Sequence, residues 1–329
     1  MTLRLLSITL SLSIFAQFAQ AIDVERPDVQ KFIDKMVEEH SYDRTILLSA
    51  LKEAKSHQSI LDAISRPAEK MLTWQAYRNI FLKEKRIAAG ADFWREHGED
   101  LQRISEETGV SREILVGIIG VETFFGRITG NYRVLDALAT LAFDYPPRSK
   151  FFTGELEQFL LLVREESMDV VDATGSYAGA MGAPQFMPSS YRAYAVDSSD
   201  DGKRDIWNNW QDVIGSVANY FLKHGWQANN DVVTRATLGP AWSGTPPKNI
   251  LQATETVNSL STQGVMFSTG MPADHESQLL TLEGKDGDEH WVGFHNFFVI
   301  TRYNRSVMYA LAVHQLGQEI ALEVGRDDS

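Results

Sequence analysis

Apolar residues recur at helical spacing through most of this chain, and this periodicity limits the folds open to it more than any other feature. The segment VQKFIDKMVEEH places four apolar residues on one helical face, namely Val29, Phe32, Ile33 and Met36. A long amphipathic stretch that starts at Trp74 predicts further helices, with breaks near Gly90 and Gly98. The segment SVMYALAVHQLGQEIALEV predicts a closing helix. We therefore expect a mainly α fold.

One region departs from the helical pattern. From about residue 230 to residue 296, Gly, Pro, Ser, Thr and Asn dominate the sequence. Short alternating runs in this region, such as VVTRATL, LLTLEG and HWVGF, predict β-strands. The sequence therefore predicts one small β domain, inserted before a C-terminal helix that returns to the α body.

The residue counts exclude several kinds of chemistry. The chain has 0 cysteines, so it forms no disulfide and offers no thiolate nucleophile or cysteine ligand for zinc or an iron–sulfur cluster. Its 31 Lys+Arg and 44 Asp+Glu residues give a formal net charge of -13. Because such a charge repels phosphate backbones, we expect no nucleic-acid partner.

The first 21 residues have the pattern of a secretory signal peptide. Arg4 precedes an apolar run from Leu5 to Phe18, and Ala19-Gln20-Ala21 supplies the small-x-small pattern of a cleavage site. A transmembrane anchor is the alternative, but the run is short for a bilayer span. With no cysteine available for lipidation, we expect cleavage after Ala21 and a soluble periplasmic protein.

Glu122 is anomalous because it lies on an apolar helical stripe. Ile118 and Ile119 precede it by four and three residues, and Phe125 follows it by three. A structural carboxylate paired with Arg127 or Arg133 is one interpretation. A general acid is the other, because desolvation raises a carboxyl pKa and favours the protonated form that glycoside cleavage requires.

A glycine-rich strip, GSYAGAMGAPQFMPSSY, spans residues 175–191. It is compatible with a structural turn or with close approach of the backbone to a ligand. The strip has neither the spacing of a phosphate-binding loop nor that of a nucleophile elbow. Its embedded Ser176 and Gln185, with aromatic residues nearby in the sequence, suit sugar binding.

The segment from Asp197 to Asp205 fits the opening of an EF-hand loop. Oxygen ligands fall at positions 1, 3, 5 and 9, in the order Asp197, Ser199, Asp201 and Asp205. Gly202 falls at the turn position, and Lys203 would offer its carbonyl at position 7. Position 12 is Asn208 in place of the usual Glu, so Asp212 is a candidate substitute. A solvated acidic turn is the alternative; otherwise we expect a structural Ca²⁺ ion.

Several motifs together carry a family resemblance. They include FIDKMVEEH, IIGVETFFGR, GAMGAPQFMPSSY and FVITRYNRS. From about residue 29 to residue 320, the chain resembles the MltB-type lytic murein transglycosylases (glycoside hydrolase family 103, SLT-like). The resemblance implies a lysozyme-like catalytic core, an N-terminal α domain and a small β domain.

We accordingly divide the chain into a signal peptide and four structural parts. These are an N-terminal α domain (22–100), a catalytic core with the EF-hand-like loop (101–229), a β domain (230–295) and a C-terminal helix (296–329).

The resemblance also implies roles for individual residues. Glu122 would be the lone catalytic acid/base. The residues implied to bind sugar or to orient Glu122 are Ser176, Gln185, Tyr303 and Asn304, and Tyr77 matches an aromatic residue of the cleft. The implied calcium loop contains Asp197, Ser199, Asp201, Lys203 and Asp212. The chain departs from some relatives at two places. It has Phe124-Phe125 after GVET. It also has Pro147-Arg148 where relatives have an arginine pair that binds substrate carboxylates, so Arg148 is the arginine that remains.

The implied reaction is non-hydrolytic cleavage of the β-1,4 bond between N-acetylmuramic acid and N-acetylglucosamine in peptidoglycan, with a 1,6-anhydro product end. A hydrolytic muramidase and a non-catalytic, calcium-binding wall-binding module are the alternatives. We expect glycan strands as the partner, wall synthases as candidate protein partners, a monomer, and no organic cofactor.

Overall fold

The computed structural model describes residues 20–65, 72–245 and 247–327. The predicted signal peptide lies outside the described residues except for Gln20–Ala21, which form strand β1 and pair with β2 (Lys55–Ser56). None of the helices in the described part of the chain has the length and apolarity that crossing a bilayer requires.

The N-terminal part of the chain is a set of short helices. They are α1 (Pro27–His40), α2 (Arg44–Glu53), α3 (Gln58–Ile64), α4 (Trp74–Phe81), α5 (Glu84–Glu96) and α6 (Gly98–Thr108). All four apolar residues predicted for the buried face of α1 are buried. The Asp43 carboxylate starts α2 by accepting hydrogen bonds from the backbone N–H groups of Thr45 and Ile46.

The break expected near Gly98 is observed, but the break expected near Gly90 is wrong. Gly90 lies inside α5, and the chain breaks earlier, between Phe81 and Glu84. A Cβ atom on Gly90 would lie 2.4 Å from the Ile320 side chain, so this glycine permits close packing against the C-terminal helix. The presence of a glycine at position 90 is therefore explained by close packing and not by a turn.

The central helices form most of the core. They are α7 (Arg112–Thr123), α8 (Val134–Asp144), α9 (Ser149–Glu165), α10 (Pro188–Tyr194) and α11 (Trp210–Lys223). Every residue of α8 from Val134 to Phe143 is buried, and α8 packs along α9. The short strands β3 (Tyr132–Arg133) and β4 (Thr174–Gly175) pair antiparallel and join the segment after α7 to the glycine-rich strip.

The predicted β segment forms a five-stranded antiparallel sheet with the order β6-β8-β9-β5-β7. Its elements are β5 (Val233–Leu238), β6 (Glu255–Thr256), α12 (Val257–Thr262), β7 (Val265–Phe267), β8 (Glu276–Glu283) and β9 (Asp288–Phe294). The sheet has a small core of its own, which includes Leu279, Val292 and Phe294. Glu289 ties it to the helical body by accepting a hydrogen bond from Trp74 Nε1 on α4 (3.2 Å), and it also accepts one from Arg235 Nη1 on the neighbouring strand β5 (2.6 Å).

The C-terminal region contains two helices where the sequence predicted one. Helix α13 (His295–Tyr303) follows β9 directly, and α14 (Val307–Asp327) begins after a short break. Helix α14 packs along α7 at very short range, because a Cβ atom on Gly117 would lie 2.4 Å from the Val313 carbonyl oxygen. The domain boundaries near residues 100, 229 and 295 stay predictions.

Candidate active site

Glu122 lies in the last turn of α7, half-buried between the buried residues Val121 and Thr123. Ser111 occupies the predicted N-cap position of this helix, without a side-chain capping hydrogen bond. The helix ends abruptly, since Phe124, Phe125 and Gly126 all adopt positive φ angles (52°, 58° and 75°). Two consecutive left-handed residues other than glycine are sterically unfavourable, so packing must hold this helix end in place.

The carboxylate of Glu122 accepts a hydrogen bond from a tyrosine. Tyr309 Oη donates to Glu122 Oε1 at 2.5 Å, and Tyr309 is only 2% exposed. Burial, together with the nearby charge of Glu122, raises the pKa of Tyr309 well above its ordinary value. Tyr309 therefore remains a neutral donor and fixes the orientation of the carboxylate.

The two arginines considered as partners of Glu122 make other contacts. Arg133 pairs with Asp136 at 2.7 Å, and the Arg127 guanidinium lies 5.0 Å from the centroid of the Phe124 ring. Tyr309 was not identified from the sequence. It lies on the apolar stripe of α14 with Val313 and Leu316, so a hydroxyl group on a buried helical face was the available signal.

The glycine-rich strip is fixed to the end of α7. Thr123 Oγ1 donates to the Ala183 carbonyl at 3.0 Å, and Gln185 Nε2 donates to the Thr129 carbonyl at 3.0 Å. Gly130 permits the closest approach, because a Cβ atom there would lie 2.2 Å from the Gly175 carbonyl oxygen. These contacts bring the strip beside the helix end that carries Glu122.

Within the strip, both predicted polar residues hold the backbone. Ser176 Oγ accepts hydrogen bonds from the N–H groups of Ala178 (3.2 Å) and Ala180 (3.1 Å). Gln185 has a positive φ of 51° and also donates to the Gly182 carbonyl at 2.9 Å. The strip is therefore a structural turn that Ser176 and Gln185 hold in shape. This turn is compatible with the approach of a ligand to the same strip.

Tyr303 joins the strip to α14. Its hydroxyl donates to the Pro184 carbonyl at 2.6 Å, and its ring is nearly parallel to that of Tyr309 with centroids 6.5 Å apart. Burial, with a smaller effect of the Glu122 charge, raises the pKa of Tyr303 well above its ordinary value. Asn304 follows at the break between α13 and α14, where its carbonyl accepts from Ser306 N at 2.7 Å.

The other two residues expected in the cleft are placed differently from each other. Tyr77, on α4, is buried with 3% exposure, and its ring centroid lies 5.2 Å from that of Phe81. Arg148 is exposed on a 3-10 turn, Pro146–Arg148, where its guanidinium stacks on Phe151 at 4.3 Å. The structure therefore brings Tyr77 near Tyr309, and Tyr77 helps to raise the pKa of Tyr309. Arg148, in contrast, makes no contact with the residues around Glu122 within the described part of the chain.

Asp136 and Asp144 carry two further carboxylates, and both have partners other than Glu122. Asp136 accepts from Arg133 and from the N–H of Lys55 at 2.9 Å. Asp144 pairs with Arg26 at 2.6 Å and accepts from Ser56 Oγ at 2.6 Å.

The predicted cation loop brings three carboxylates together. Single oxygen atoms of Asp197, Asp201 and Asp212 all lie within 4.8 Å of one another. Ligands of one Ca²⁺ ion lie about 2.3–2.6 Å from it, so two of them can be separated by up to about 5 Å. The donor set is all oxygen, and Asp212 is a fully buried charge (0% exposed), so the arrangement fits a calcium ion.

The remaining loop residues support this cluster or lie beside it. Ser199 Oγ donates to Asp197 Oδ1 at 3.3 Å, and the N–H of Lys203 donates to Asp201 Oδ1 at 2.9 Å. Asp205 differs from the expectation: its carboxylate accepts from the N–H groups of Trp207 and Asn208, outside the three-carboxylate cluster. Asp212 accepts from the N–H groups of three residues of the loop, Ser198, Ser199 and Asp205.

A helical core with small sheets, and one half-buried glutamate at the end of a central helix, define a lysozyme-like protein. The chain belongs to the transglycosylase SLT family, because the profile described as "Transglycosylase SLT domain" matches residues 25–318.

Individual relatives agree with this assignment. The chain is 43% identical over 305 residues to the membrane-bound lytic murein transglycosylase B of Escherichia coli K12, covering 90% of this chain and 83% of that protein. It is 49% identical to the soluble lytic transglycosylase SltB1 of Pseudomonas aeruginosa, with a TM-score of 0.86 over 91% of this chain and 100% of that one. The E. coli transglycosylase Slt35, solved in complex with calcium, is 42% identical, with a TM-score of 0.83 over 93% and 96% of the two chains.

Proposed function

We propose that this protein is a lytic transglycosylase that cleaves the β-1,4 bond between N-acetylmuramic acid and N-acetylglucosamine in peptidoglycan and leaves a 1,6-anhydro end. The observation that carries the proposal is the half-buried Glu122 carboxylate, oriented by Tyr309 at 2.5 Å. The names of the relatives, which are lytic murein transglycosylases, support the same activity.

One carboxylate suffices for this reaction. Glu122 donates its proton to the glycosidic oxygen as the bond to the anomeric carbon breaks. The N-acetyl group of the muramic acid stabilises the positive charge that develops there. The ionised Glu122 then accepts the proton of the 6-hydroxyl group, whose oxygen attacks the anomeric carbon and closes the anhydro ring.

We assign the walls of the sugar site to the groups placed around Glu122. Ser176 and Gln185 belong to the strip bonded to the end of α7, and Tyr303 holds that strip against α14. We retain Asn304, Tyr77 and Arg148 as further candidates for substrate contact.

Replacement of Glu122 by Gln tests the assignment. The variant keeps the size of the side chain but has no proton to donate, so we expect the release of soluble fragments from purified sacculi to fall by about 10²- to 10⁴-fold. Glu113→Gln is the matched control, since Glu113 lies in the first turn of the same helix and should leave activity unchanged. Wild-type activity in a folded Glu122→Gln protein would refute the proposal.

We also propose that Asp197, Asp201 and Asp212 hold a structural Ca²⁺ ion, as the calcium complex of Slt35 suggests. The ion would offset the charge of the buried Asp212 and fix the loop that precedes α11. Calcium at about 100 times its Kd should therefore stabilise the folded protein by about 2.7 kcal/mol.

Thermal unfolding with calcium and with a chelator tests this second assignment. The calcium-dependent rise in Tm should be reduced or lost in Asp201→Asn. It should persist in Asp200→Asn, whose side chain is exposed and lies outside the cluster. Equal responses in the two variants would show that the loop does not hold the ion in this way.

Export is the third part of the proposal. We propose that residues 1–21 are removed and that the mature enzyme begins at Ile22 in the periplasm. Mass determination of the N-terminus of the protein recovered from the periplasm tests this, and an uncleaved N-terminus would contradict it.

A further inference from the structure

Two arginines from different segments meet on one aromatic ring beside Glu122. The guanidinium carbon of Arg86, on α5, lies 4.7 Å from the centroid of the Phe124 ring, and that of Arg127 lies 5.0 Å from it. Arg86 Nη1 also donates to the carbonyl of Gly120 at 2.5 Å, in the last turn of α7. Both cations are therefore held at the end of the helix that carries Glu122.

Neither cation has a carboxylate partner within residues 20–65, 72–245 and 247–327. Other arginines of this acidic chain do have such partners, for example Arg26, Arg133 and Arg192. Burial lowers the pKa of Arg86. Among the described residues, its guanidinium contacts the Gly120 carbonyl oxygen and the rings of Phe81 and Phe124. Cations that have no counter-ion are stabilised by an anion that binds beside them.

The surroundings connect this pair with the residues near Glu122. Phe81 contacts both Arg86, at 5.3 Å, and Tyr77, at 5.2 Å between ring centroids. Tyr77 in turn lies near Tyr309, the donor to Glu122. Phe124 follows Glu122 by two residues, so the ring that carries both arginines lies at the same helix end as Glu122, and Arg127 is exposed.

We propose that Arg86 and Arg127, stacked on Phe124, form a binding site for a carboxylate group of the peptide stem of peptidoglycan. This inference rests on the proposed function, because the ligand belongs to its substrate. Planar guanidinium groups suit carboxylates, since each can donate two parallel N–H bonds. The site would favour strands whose stems carry free carboxylates.

The test compares two forms of the same substrate. Soluble, uncross-linked glycan strands that carry stem peptides are used as isolated, or after their free carboxylates have been converted to amides with carbodiimide and excess ammonia. For the wild-type protein we expect a KM about three- to fivefold lower on the native strands, with similar kcat, as suits a partly exposed charge pair. Arg127→Gln should remove this preference by raising KM on the native strands alone.

Arg112→Gln is the control, because Arg112 also stacks on an aromatic ring, that of Trp94 at 5.0 Å, but lies at the opposite end of α7. It should retain the wild-type preference. The inference is overturned if wild type does not distinguish the two substrates, or if Arg127→Gln raises KM equally on both. Absence of wild-type turnover on either substrate would instead refute the proposed function itself.

Discussion

At the scale of single residues, the site depends on one carboxylate and the hydroxyl group that orients it. A half-buried carboxylate is costly unless a donor compensates it, and Tyr309 supplies that donor at 2.5 Å. The tyrosine is itself fully buried, so the pair is assembled only when α14 is in place. Positioning of Glu122 is thus a tertiary property of the fold.

Replacement of Tyr309 by Phe tests this pair. The change removes a donor from the ionised carboxylate and thereby favours its protonated form. We expect kcat to fall about tenfold, because a hydrogen bond to a charged group is lost. The alkaline limb of the pH–rate profile should move to higher pH. Tyr42→Phe is the control, since the Tyr42 hydroxyl donates to the Leu160 carbonyl away from the site. An unchanged pH profile in Tyr309→Phe would contradict this role.

Glu122 could be found from the sequence, but its pairing with Tyr309 could not. The glutamate interrupts an apolar stripe within one helix, so local spacing reveals it. Its partner is 187 residues away and looks like an ordinary aromatic residue of a core helix. Only the packing of the two helices brings them together.

At the scale of elements, the contact between α7 and α14 is the critical one. Both helices have a glycine at this contact. A Cβ atom placed on Gly117 would lie 2.4 Å from the Val313 carbonyl oxygen. A Cβ atom placed on Gly317 would lie 2.0 Å from the Glu113 carbonyl oxygen. The helices approach each other closely because these side chains are absent. Gly117 and Gly317 lie inside the two helices and permit their close contact.

Gly117→Ala should therefore push α14 away from α7. We expect a loss of about 1–3 kcal/mol of unfolding free energy, measured by urea titration, and reduced activity because Tyr309 shifts. Gly154→Ala is the control, since Gly154 lies in α9 with nothing within 4 Å of an added Cβ atom. Helix propensity predicts that this control is about 1 kcal/mol more stable than wild type. Equal effects of the two changes would contradict the packing argument.

Helix α14 contains a buried histidine, which predicts that the protein loses stability in acid. Burial lowers the pKa of His314 from 6.5 to about 4, and its Nδ1 atom has no hydrogen-bond partner among the described residues. The unfolded chain binds this proton below about pH 6.5 and the folded chain only below about pH 4, so stability falls as the pH is lowered through that range. The loss should reach up to about 3 kcal/mol. His314→Leu should flatten this dependence in urea titrations at several pH values, whereas a wild-type slope in the variant would exclude His314 as its source.

At the scale of the whole molecule, the sequence predicted the distribution of helix and sheet but not how the parts are joined. Alternating runs identified β5, β8 and β9, because a half-buried strand has a period of two residues. Glu289 accepts from Trp74, 215 residues away, and from Arg235, 54 residues away. Periodicity within a segment cannot predict bonds of this range. The same limit explains why the meeting of Arg86 and Arg127 on Phe124 emerges only from the fold.

Catalysis by a single carboxylate, as proposed for Glu122, has a chemical consequence. The carboxylates of Asp136 and Asp144 are paired with Arg133 and Arg26. In the proposed mechanism Glu122 alone acts first as acid and then as base. The substrate's own hydroxyl group then takes the place of water. The products therefore distinguish this mechanism from hydrolysis.

Mass spectrometry of the products released from purified sacculi in heavy-oxygen water is the most direct test of the central claim. We expect products with 1,6-anhydro ends, each lighter by one water than the hydrolytic product and free of the heavy isotope. Folded Glu122→Gln should release neither kind of product. Reducing ends that carry the heavy oxygen atom would contradict the account and identify the enzyme as a hydrolytic muramidase.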